Sequence, residues 1–92
     1  MILLIVKNIQ SKYRGTIKNY MLEVKPMVFV GNINSKVRDF LVELCNNYSE
    51  EFIMVLDRKN HIQGIEIIKK GFDNIQDICG LYAVSLKNRK IQ

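Results

Sequence analysis

The first apolar stretch, Ile2–Val6, is β-branched, closed by Lys7, and too short for a buried helix, so the pattern predicts a central strand over Ile2–Lys7. Asn8-Ile9-Gln10-Ser11 reads as a loop. Tyr13, Ile17, Tyr20 and Met21 then fall at i, i+4, i+7 and i+8, one face of a helix. Gly15 in its first turn lowers helix propensity by about 1 kcal/mol relative to Ala. Its expected role is to let another group come close to the backbone. Val24 and Val28–Val30 flank Lys25-Pro26, and a proline that cannot donate to a ladder marks a turn between two short extended pieces.

Asn34 is a good N-cap for the clearest helix in the chain. Behind it Val37, Phe40, Leu41, Leu44 and Tyr48 recur at helical spacing, with Cys45 beside them as a small core residue. Phe52–Asp57 and Ile62–Lys69 read as strands joined by the polar turn Arg58-Lys59-Asn60-His61. Residues 70–80 look irregular. Leu81–Leu86 reads as a last strand, and residues 87–92 as a basic tail. The order predicts an α+β, ferredoxin-like βαββαβ domain over residues 1–92 with an added C-terminal strand or hairpin. Helices on one side of such a sheet leave its other face apolar and bare. In a domain this small, a second copy of the chain is the simplest cover.

Composition narrows the chemistry. The 92 residues suit one domain, and the 48% hydrophobic and 25% charged content is that of a globular chain. No apolar run approaches the ~20 residues of a membrane span, and no signal peptide is evident, so the expected location is the cytoplasm, with no membrane partner. Two cysteines, Cys45 and Cys79, and one histidine, His61, provide neither a zinc set nor a nucleophile–histidine pair. The net charge is +5, and its distribution is lopsided. Residues 1–38 carry seven basic side chains against Glu23 alone, an excess of six, while the remainder of the chain is slightly acidic. A localised basic field is what a polyanion-binding face requires.

Three stretches carry a resemblance: Arg14-Gly15, then Tyr20–Lys25, then Val28–Asp39. Together they resemble the small, non-integrase subunit of the type I-E CRISPR adaptation complex, a family also called CRISPR-associated endoribonuclease. The match is near-continuous over residues 3–45, and weaker and mainly of strand order beyond Phe52. The resemblance implies a ferredoxin-like homodimer that serves antiviral defence. The dimer bridges two dimers of a larger integrase subunit and holds a double-stranded DNA prespacer for insertion as a new spacer. It implies backbone contacts to DNA from Lys12, Arg14, Lys36 and Arg38, groups that position a duplex without reading its sequence. It also implies that Leu81, Tyr82, Val84 and Leu86 form the strand that docks the larger subunit.

Nuclease members of the family hold Mg²⁺ through an acidic residue at the end of the first strand. Here Val6-Lys7-Asn8 stands at that place, and a lysine repels the ion. The expectation is therefore a chain with no catalytic residues, no cofactor and no metal of its own. The alternative is a Mg²⁺-dependent endonuclease acting on RNA or DNA, with Asp57, Asp73 and Asp77 as the remaining acidic candidates.

Overall fold

A strand paired on both edges, β1 (Ile2–Ile9), organises the sheet. In the computed structural model, which describes residues 1–57 and 64–72, it is followed by α1 (Ser11–Lys18), β2 (Leu22–Lys25), β3 (Val28–Gly31), α2 (Ser35–Tyr48), β4 (Ser49–Asp57) and β5 (Ile65–Lys70). The strands form one antiparallel sheet in the order β2-β3-β1-β4-β5. The first four have the ferredoxin-like arrangement, and β5 is the expected addition. The predicted turn at 58–61 and everything from residue 73 onward, including the strand 81–86 and the basic tail, lie outside the described residues.

Several boundaries differ from the sequence expectation. β1 continues through Asn8 and Ile9, because Ile9 still pairs with Ser49 of β4. Asn8 reaches this with φ at 55°, a conformation that asparagine tolerates better than most residues. α1 stops at Lys18, so Tyr20 and Met21 lie in the turn after it. Met21 turns into the core and Tyr20 stays 46% exposed. Pro26 and Met27 make the hairpin turn foreseen between β2 and β3.

One face of the sheet packs on the helices. Ile2, Leu4 and Val6 of β1 and Phe52, Met54 and Leu56 of β4 meet Ile17 of α1 and Leu41, Leu44 and Cys45 of α2. α2 starts as read from the sequence, with Asn34 Oδ1 accepting the Val37 N–H at 2.9 Å. Its last carbonyls are satisfied from the neighbouring strands. The Ser49 hydroxyl donates to Cys45 O at 2.6 Å, and Lys70 Nζ donates to Asn46 O and Ser49 O at 2.8 and 2.9 Å. The ammonium also sits where the helix dipole is negative.

Among the described residues, the other face carries no helix. A row runs across all five strands there: Leu22, Val30, Leu3, Val55 and Ile67. A second row, Val28, Ile5 and Ile53, lies beside it. Leu22 is 67% exposed and Ile67 48%, whereas Ile53 and Val55 are buried under Leu3, Ile5 and Phe72.

Gly15 departs from its expected role. It is exposed within α1, and a Cβ there would meet nothing within 4 Å. Nothing in the described chain uses its missing side chain, so only the helix cost remains. Gly15→Ala is expected to stabilise the fold by about 0.5–1 kcal/mol. A higher urea midpoint at unchanged slope checks this.

Candidate nucleic-acid interface

Lys12 and Arg14 stand in the first turns of α1 and diverge from there. The Lys12 side chain is exposed, with Nζ 4.9 Å from the ring centre of Tyr13. Tyr13 in turn stacks on Tyr48 at the end of α2, with centroids 4.0 Å apart and ring planes 10° from parallel. Arg14 turns toward β2. Its Nε and Nη2 lie 2.9 and 2.7 Å from Glu23 Oε2.

Glu23 is the single acidic residue of the basic half, and its side chain is only 9% exposed. It also accepts the Met27 N–H at 2.9 Å and has Lys18 Nζ at 3.9 Å. The Met27 hydrogen bond, with Arg14 and Lys18, holds its carboxyl below the usual range against the opposing effect of burial. Arg14 thus ties α1 to β2 through Glu23, with its side chain 38% exposed. Spacing within α1 shows its exposure but not this acceptor, which arrives from another strand.

A depressed carboxyl stabilises the fold above its unfolded pKa and loses that contribution as pH falls through the folded one. Thermal midpoints are therefore expected to drop as pH falls below about 4.5. Glu23→Gln should lower the midpoint at neutral pH and flatten that acid limb. An unchanged limb in the variant would show that other carboxylates carry it.

Lys36 and Arg38 stand at the start of α2. Lys36 is exposed and has no ion pair among the described residues. Arg38 pairs with its neighbour Asp39, through Nη2 at 3.0 Å and Nε at 3.1 Å. It also lines an open cleft of about 490 Å³ with Asn32, Ile33 and Asp57. The two helices run antiparallel, since Tyr13 meets Tyr48 at one end and Tyr20 meets Phe40 at the other. The four basic residues therefore do not converge. They form two pairs at opposite ends of the helical layer, separated by the length of α2, about 20 Å. Along a duplex that is about six base pairs of backbone.

The end of β1 does not fit a divalent metal. Lys7 faces Glu51 across the strand pair, with Nζ 3.6 Å from Glu51 and 3.9 Å from Glu50. A protein cation already neutralises these carboxylates. Glu50 also accepts from the Asn8 amide, and Glu51 from the Phe72 N–H. Glu51 is held in turn by Gly71, whose φ is +74° and where a Cβ would strike the Glu51 side chain. Asp57 lies at the other end of the sheet, 3.2 Å from the Met1 amino group. Asp73 and Asp77 lie outside the described residues, as do His61 and Cys79. Cys45 is free and buried, and burial pushes its thiol up to about 12, so it is no nucleophile.

Leu81, Tyr82, Val84 and Leu86, expected to dock a partner, lie outside the described residues. What the sequence pattern missed is aromatic. Phe40 and Tyr48, read as part of the core stripe of α2, are 46% and 51% exposed and line a groove with Glu43, Leu44 and Asn47. Among the described residues, no helix is long and apolar enough to cross a membrane. Compared with known families, residues 1–81 match the model described as CRISPR-associated protein (Cas_Cas2CT1978).

Proposed function

Because the chain belongs to this CRISPR-associated, Cas2-like family and so to CRISPR adaptation, we propose that it is a scaffold subunit, not the catalyst, of a type I-E-like spacer-integration complex. In this reading it is a cytoplasmic homodimer. It holds a prespacer duplex by its backbone and bridges two dimers of the larger integrase subunit.

The observation that carries the reading is the division of the two faces. The helical layer bears Lys12, Arg14, Lys36 and Arg38, while the opposite sheet face presents an apolar row from Leu22 to Ile67. Pairing two copies through the apolar face turns both helical layers outward, and each basic pair then occurs twice. Contacts of this kind are electrostatic and indifferent to sequence, which suits a protein that accepts arbitrary DNA. The segment 81–86 remains the proposed dock for the larger subunit.

The endonuclease alternative requires a divalent metal, and the Lys7–Glu51 pair at the end of β1 argues against one there. Incubating the purified chain with duplex DNA or RNA and Mg²⁺ or Mn²⁺ tests the choice. The scaffold reading expects intact nucleic acid. Metal-dependent cleavage that Asp57→Ala abolishes would replace it with the nuclease reading.

A further inference from the structure

The groove on α2 is walled at one end by Phe40 and at the other by Tyr48, with Leu44 between them. It encloses about 260 Å³. Its two rings come from residues eight apart, about 12 Å along the helix axis. Each is braced from behind: Tyr48 by the parallel stack with Tyr13 of α1, and Phe40 by an edge contact at 6.1 Å with Tyr20 in the turn after α1. Tyr13 occupies one face of Tyr48, yet Tyr48 remains 51% exposed. An aromatic ring fixed from behind and open in front is a stacking platform that loses little freedom when something settles on it.

The polar groups at this groove narrow the occupant. Glu43 and Asn47 line it, and neither side chain makes a hydrogen bond or ion pair among the described residues. An amide offers a donor and an acceptor, and a carboxylate accepts from an exocyclic amino group, which is the complement of a base edge. Lys12 lies behind the stack, with Nζ over Tyr13 on the side away from Tyr48. An apolar peptide side chain uses the rings and leaves both polar groups without a role.

We propose that this groove holds an unpaired nucleobase of a single-stranded polynucleotide, stacked on the open face of Tyr48. The site is separate from the backbone contacts of a duplex, whose bases present no free ring face. It rests on the nucleic-acid-binding reading above and extends it to strand ends or gaps.

The test uses the full chain and a short single strand containing 2-aminopurine, prepared both as DNA and as RNA, beside a fully paired duplex. The chain has no tryptophan, so the probe's emission is read without interference from one. Wild-type protein is expected to quench the probe in at least one strand chemistry, and a preference between the two identifies the source of the base. Tyr48→Ala should weaken single-strand binding about tenfold, within the range of one base stack. Tyr48→Phe should keep it, and both variants should bind duplex like wild type. Asn47→Ala, on an exposed helix position, gives a second variant that leaves the Tyr13–Tyr48 stack in place and should weaken single-strand binding severalfold. Unchanged probe emission with wild-type protein overturns the proposal. So does a loss in Tyr48→Phe equal to that in Tyr48→Ala. Duplex binding that survives either result leaves the scaffold reading standing, whereas wild-type protein that binds neither form contradicts both.

Discussion

Raising the salt from about 50 to 200 mM is expected to weaken duplex binding by about a thousandfold. The expectation comes from the excess of six positive charges in residues 1–38. Neutralising about six phosphates gives a log–log slope near −5, because each contact releases close to one condensed counterion. Lys12→Ala and Lys36→Ala are the informative substitutions. Among the described residues neither lysine is tied into an ion pair, whereas Arg14 pairs with Glu23 and Arg38 with Asp39. On the same per-copy count, each substitution should reduce the slope by about one. Both should weaken all duplex sequences alike. A flat salt response, or a strong preference for one sequence, contradicts backbone holding.

Leu3→Lys is expected to turn a dimer into a monomer. Leu3 lies at the centre of the sheet face that no described helix covers, between Val30 and Val55 in the cross-strand register. It points away from the helix-facing core, which is built on Ile2, Leu4 and Val6. A lysine there stays solvated in the monomer and is buried without a partner in the dimer. Such a charge costs several kcal/mol, so dimer affinity should fall at least a hundredfold per interface. Circular dichroism should show the fold retained. Sedimentation equilibrium at micromolar concentration checks both states. A wild-type chain that is monomeric there removes the dimer from the account, and a Leu3→Lys variant that remains dimeric moves the interface elsewhere. Duplex affinity should fall with the dimer, because the number of basic clusters meeting one duplex is halved.

The architecture was legible because its signals are local. The β-branched run at Ile2–Val6, the turn at Lys25-Pro26 and the Asn34 cap each act within a few residues, and the structure contains all three. That the described helices both lie on one side of the sheet followed from element order alone. Helix faces were less legible. Spacing assigns Phe40 and Tyr48 to the core stripe, but each meets only one ring, Tyr20 and Tyr13 respectively, and stays about half exposed. The partners of Arg14 and Lys7 were hidden for a different reason. Glu23 and Glu51 reach them from other strands, so tertiary contacts decide how much of each cation faces outward. The separation of Lys12 and Arg14 from Lys36 and Arg38 was equally hidden, since it depends on the antiparallel course of the two helices.

The central claim is that this chain joins a duplex to a larger catalytic subunit without cutting it. The most direct measurement is a gel shift of prespacer duplex with this chain, the larger subunit, and both together, in the presence of Mg²⁺. The account predicts a further-retarded complex only when both proteins are present, containing two copies of this chain on intact duplex. Duplex bound by the larger subunit with no contribution from this chain, or duplex degraded by this chain alone, would contradict it.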